Sequence, residues 1–197
     1  MNKPSARCVG LAGLIGLALR SQAAAPAGWA DCCFGNESAG SATYSDLGGD
    51  AYDITLEGAG LDIWGKSDTG RFVFLPLAGD CEIMATIDAL PLEEQYGEWA
   101  RFGLMMRGSL MINAVNTAFC RVKGSAATGG RLKLTQRAAN NADTANWPGV
   151  SDTSFATNLN MTARLRLVRQ GDTYTAWIST NTPAYDAWER VASHTTV

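Results

Sequence analysis

The stretch NNADTANWPGV gathers residue types that recognise sugars. Trp147 offers a flat ring, and Asn141, Asp143 and Asn146 offer amides and a carboxylate for hydroxyl groups. Small-ligand sites combine an apolar wall with a few placed polar groups, and aromatic rings supply such a wall. The same tryptophan also reads as a staple that folds its loop back onto the protein. Other constellations are poorer. Glycoside hydrolysis needs two carboxyls about 5–10 Å apart. In EIMATID, Glu82 and Asp88 share a strand face but stand about 20 Å apart at about 3.3 Å per residue. Glu93, Glu94 and Glu98 in LEEQYGEW read as a solvated turn. His194 is the only histidine, and no G-x-S-x-G elbow accompanies it. No carboxylate pair or triad is legible, so the expectation is a non-enzyme.

The cysteines allow a second kind of chemistry. Cys32, Cys33, Cys81 and Cys120 are disulfide candidates if the chain is exported, with three possible pairings, or else buried free thiols. The Cys32–Cys33 pairing is disfavoured, because adjacent Cα atoms lie only about 3.8 Å apart. A zinc site would need ligand spacing such as C-x-x-C, which is absent, so no metal and no cofactor is expected.

Export is indicated at the start of the chain. MNKPSAR is a basic lead, CVGLAGLIGLAL an apolar run, and RSQAAAPA a small-residue cleavage region. Residues 1–23 read as a signal peptide and 24–197 as one domain, secreted or held in the periplasm or cell envelope. The apolar run is too short to span a bilayer comfortably, and no second one follows. Removing Lys3, Arg7 and Arg20 from the 16 basic residues leaves 13 against 19 acidic ones, a formal charge of −6. Nucleic acid is a poor partner for such a chain, since phosphate contacts need clustered cations. The remaining length suffices for one core.

Strands must position these groups. Eleven short runs carry strand character: SATYSD, AYDITLE, LDIW, RFVFLPL, CEIMATIDAL, RFGLMMRG, TAFCRVK, RLKLTQR, ARLRLVRQ, TYTAWIS and WERVAS. In RLKLTQR, Leu132 and Leu134 face one way and Arg131, Lys133 and Thr135 the other. In ARLRLVRQ, Ala163, Leu165 and Leu167 oppose Arg164 and Arg166. Such alternation predicts sheets with one buried and one wet side. Turn residues separate the runs, as at Ser67-Asp68-Thr69-Gly70 and Gly171-Asp172. The pattern predicts an all-β, antiparallel two-sheet sandwich. One short helix is expected within Leu90–Trp99. The segment 136–160 is the longest without strand character, and such loops are commonly functional. The turn GKSDTG predicts a hairpin that brings Trp64 beside Phe72. Trp177 and Trp188 read as a cross-strand pair, and Arg107 as a donor to neighbouring loops.

Four blocks in order resemble one family. They are DIWG (Asp62–Gly65) with Phe72, Phe74, Pro76, Leu77, Gly79 and Asp80; WARFGLMMRGSL with Trp99, Gly103, Met105, Arg107, Ser109 and Leu110; NTAFCRV; and LRLVRQGDTYTAWIST followed by Trp188. The chain resembles a family of bacterial secreted domains of unknown function with the concanavalin A-like lectin/glucanase sandwich. The resemblance implies a jelly-roll sandwich without the glucanase E-x-D-x-x-E pattern. It departs at Cys81 and Cys120, where a small or apolar residue is expected. It also departs at Val197, because the family continues with two more strands, which implies a sandwich truncated at its C-terminus. The functional expectation is a secreted, non-catalytic module that binds or accompanies extracellular or cell-wall polysaccharide. The alternatives are a structural or adhesive extracellular protein and, behind it, a glycan-active hydrolase.

Overall fold

A computed structural model describes residues 5–8, 25–35, 40–48, 51–58, 60, 62–87, 97–124, 130–151, 156–157, 162–180 and 187–196. Within them the strands run β1 (Ser5–Cys8), β2 (Ala30–Phe34), β3 (Gly40–Gly48), β4 (Ala51–Gly58), β5 (Ile63–Trp64), β6 (Ser67–Asp68), β7 (Gly70–Phe74), β8 (Cys81–Ile87), β9 (Arg101–Arg107), β10 (Asn116–Val122), β11 (Gly130–Arg137), β12 (Ala145–Asn146), β13 (Ala156–Thr157), β14 (Ala163–Gln170), β15 (Thr173–Ser179) and β16 (Glu189–Thr195). No helix occurs among the described residues. Most of the expected helix at Leu90–Trp99 lies outside them; its end forms a turn in which Ala100 N donates to Gly97 O at 2.9 Å. No helix there is long and apolar enough to cross a membrane.

Two larger sheets carry the fold. One has seven strands in the order β16-β15-β14-β8-β1-β4-β3. The other has the order β12-β11-β10-β9, with β13 also on β11. The pairings are antiparallel except those of β1, which runs parallel to β4 and to β8. Thus Ser5–Cys8, inside the segment that reads as a leader, is a strand in the seven-stranded sheet. Two small ribbons, β2–β7 and β5–β6, complete the described structure.

The core lies between the two larger sheets. Ala85, Ile87, Ala163, Leu165, Leu167, Ala176 and Ile178 meet Leu104, Phe119, Leu132 and Leu134 across it. Alternation explains which residues are there: in ARLRLVRQ the burial alternates from Ala163 to Leu167 as period two demands. Each such buried leucine, isoleucine or phenylalanine side chain contributes about 1.5–3 kcal/mol relative to exposure.

The sheet of β9–β12 differs from the half-wet sheet its alternation predicts. Every residue of β10 is buried. On β11, Lys133, Thr135 and Arg137 are buried along with the two leucines. The second face of this sheet is therefore covered, and its covering is where the polar chemistry gathers. The four cysteines are free thiols, with Cys120 buried and the other three half-buried, so no disulfide candidate is paired.

Candidate functional site

The covering starts from a two-residue hairpin. Register pairs Ile63 with Asp68 and Trp64 with Ser67. Gly65 has φ +61, whereas Lys66 does not enter the left-handed region. That is the φ pattern of a type II′ turn, which needs glycine first. The hairpin closes at Gly65-Lys66, and not around the longer GKSDTG turn. Phe72 consequently packs on Phe34 and Phe74, with centroids 5.7 Å away in each case, and the expected Trp64–Phe72 pair is replaced. Period two then sends Asp68 inward and Trp64 to the opposite side of the ribbon.

Asp68 is completely buried and is the anchor of the site. Arg137 NH1 donates to its Oδ2 at 2.9 Å and NH2 to its Oδ1 at 2.6 Å, a fork-to-fork pair. Arg107 NH1 donates to Oδ2 at 3.2 Å and Asn116 Nδ2 at 3.0 Å. Arg137, likewise buried, also donates to Gly65 O, Ala114 O, Ala142 O and Thr144 Oγ1 at 3.0–3.2 Å. Arg107 continues to Ser109 O at 2.6 Å and Met111 O at 2.5 Å. Burial pushes its guanidinium below the ordinary value, and the Asp68 charge opposes that shift. One carboxylate and two guanidinium groups thus tie the hairpin to the segments 108–115 and 138–146. Arg107 has the loop-donor role its sequence context suggests.

Above this anchor stand two tryptophans. Lys133 Nζ lies 4.6 Å from the centre of the Trp64 ring and 5.0 Å from that of Trp99. Arg131 Cζ lies 4.7 Å over Trp99. Trp64 keeps 39% of its surface exposed and Trp99 48%. Cation–π contacts of this kind are worth about 0.5–2 kcal/mol and orient the ring. Beside them the register aligns Gly103, Cys120 and Lys133 across β9, β10 and β11. Gly103 is exposed, and a Cβ there would collide with the Phe119 carbonyl. The row therefore stays low next to the rings. Arg101 closes one end, donating to Asp62 Oδ1 at 2.7 Å and Ile63 O at 3.0 Å.

The sequence-derived ligand residues separate on folding. Trp147 is 1% exposed in the core cluster, and its Nε1 donates to Thr135 O at 3.1 Å. A ring with no open face cannot stack on a ligand, so Trp147 is the staple of its loop. Asn141 is exposed at φ +65 and its Oδ1 accepts from Asn113 at 2.5 Å, a loop clamp. Asp143 is exposed on the same loop. Asn146 pairs with Thr135, which shares the β11 face of Lys133, and its buried Oδ1 has no partner. Only Asn146 of the four lies on the tryptophan-bearing face.

A second aromatic–cation group lies on the outer side of the seven-stranded sheet. Arg164 and Arg166 stand 6.0 and 5.9 Å from the Trp188 ring, and Arg166 pairs with Glu82 at 2.7 Å. A cavity of about 230 Å³ adjoins Trp188, lined by Ile178, Thr180, Ala187, Trp188 and Glu189. Trp177 is half-buried and pairs in register with Arg166 and Arg190. Among the described residues no cluster of His, Cys, Asp or Glu could hold a metal ion.

No family model, curated protein or solved structure matches the chain.

Proposed function

We propose that this chain is a secreted, non-catalytic sandwich module of the concanavalin A-like type that binds carbohydrate on the Trp64–Trp99 face. The observation that carries the reading is the pair of half-exposed indoles held by one ammonium, that of Lys133. Flat apolar faces beside a low row, with charged groups at their edge, are what a pyranose needs for stacking and hydroxyl contacts. The Asp68 anchor supports preorganisation, because it fixes the hairpin before a ligand arrives. Two carboxylates beside the face are engaged with arginines, Asp62 with Arg101 and Asp68 with Arg107 and Arg137. That engagement favours binding over hydrolysis.

The test is binding of soluble polysaccharides by affinity electrophoresis and calorimetry. Trp64→Ala and Trp99→Ala should each weaken binding by about tenfold or more, the cost of a central aromatic contact. A panel in which no glycan binds the unaltered protein would remove the reading.

The exposed run Leu110, Met111 and Ile112 favours a second reading, an adhesive role toward another protein. Arg107 and the Ser109 hydroxyl hold this run rigid. Exposed contiguous apolar groups mark interaction surfaces.

A further inference from the structure

The same face has a charge as well as a shape. Lys133 and Arg131 both stand against the indoles, so the rings rest on two cations. Among the described residues, Arg131 has no carboxylate partner, and its buried Nε has no hydrogen-bond acceptor. The other arginines beside the face are paired with carboxylates: Arg101 with Asp62, while Arg107 and Arg137 share Asp68. An indole that already carries a cation is a poor seat for a second one, which disfavours cationic ligands. A guanidinium with no carboxylate partner instead favours an anionic oxygen pair, which its outer nitrogens can take. The chain as a whole is acidic, with a net charge of −3, so this local sign is not a by-product of composition.

We infer that the ligand of this face is an anionic glycan, with a carboxylate or sulfate of the sugar set on Arg131 while its ring lies against Trp99 or Trp64. This rests on the carbohydrate reading above and narrows it. The neutral part of the ligand supplies stacking area, and the anion supplies orientation, since only one edge of the platform holds Arg131.

The experiment compares polygalacturonate oligomers, the same oligomers with their carboxyls reduced to alcohols, and a sulfated dextran, titrated into the full chain by calorimetry at two salt concentrations. Polygalacturonate should bind about tenfold or more tighter than its reduced form, as expected for one charge-assisted contact. The advantage should shrink with added salt. Stronger binding of sulfated dextran would assign the site to sulfate, and stronger binding of polygalacturonate to carboxylate; both support the inference. Arg131→Gln should bring the charged-to-reduced ratio close to one, with Arg131→Lys in between. Circular dichroism of each variant checks folding, and the salt dependence of the unaltered protein stands without any variant. Equal affinity for charged and reduced oligomers would overturn the inference while leaving the carbohydrate reading intact. Binding of none of the three would overturn both.

Discussion

Replacing Asp68 by alanine is the sharpest perturbation of the architecture. The substitution removes the only carboxylate among the described residues that pairs with Arg107 and Arg137, whose side chains are 3% and 0% exposed. It deletes four hydrogen bonds of 2.6–3.2 Å. Two guanidinium groups would then share a dry site with like charge and no anion. Breaking a buried pair from one side costs about 3–5 kcal/mol, because the remaining charge stays desolvated. In a domain of this size each kcal/mol moves Tm by about 2–4 °C, so the midpoint should fall by roughly 6–20 °C. Arg166→Ala is the control, since its bond to Glu82 is partly exposed and such pairs are worth about 1 kcal/mol or less. Differential scanning fluorimetry and urea titration of the three proteins give the numbers. A loss below about 1 kcal/mol for Asp68→Ala would refute the argument, because it would mean that water reaches the arginines.

Further outcomes concern pH, thiols and the first strand. Burial lowers the pKa of His194 from 6.5, so the unfolded chain binds its proton more readily than the folded one. Stability should therefore fall as pH drops through about 6.5 and level off below the folded value, and His194→Phe should flatten this component of Tm between pH 7.5 and 5.5. Burial pushes the Cys120 thiol up to about 11, so maleimide or iodoacetamide at pH 8 should label Cys120 last, and only after denaturant is added. A chain with two disulfides would instead show none of the four thiols before reduction. Deleting residues 1–23 removes β1 and strips β4 and β8 of their shared neighbour. A leader removed on export predicts an unchanged Tm by calorimetry; a fall of about 4 °C or more would show that β1 belongs to the folded domain and would count against the secreted reading.

The strands were the legible part of the fold. Each of the eleven alternating or apolar runs contains a strand among the described residues, because period-two burial is written locally in side-chain order. ADCCF was missed since two adjacent half-buried cysteines break any alternation. In RLKLTQR the pattern shows two faces, yet it says nothing of what covers the second; that depends on the hairpin at 63–68 and the turn at Trp99. Asp68 reads as an ordinary turn residue in SDTG. Its burial is decided by Arg137, 69 residues later, which local sequence cannot reveal. The asparagine-rich loop misled in the same way. Its polarity serves clamps such as Asn141 with Asn113, while the tryptophan beside it belongs to the core. Trp64 and Trp99 stand 35 positions apart, and only the fold places both against Lys133.

The central claim is that these two indoles form the ligand face. Titration of a polysaccharide ligand into the protein while tryptophan fluorescence is followed tests it most directly, with Trp64→Phe, Trp99→Phe and Trp147→Phe compared. The structure predicts a ligand-induced change that shrinks in the first two variants and persists in the third, whose indole is sealed in the core. A signal lost only in Trp147→Phe, with affinity unaltered by changes at Trp64 and Trp99, would contradict it.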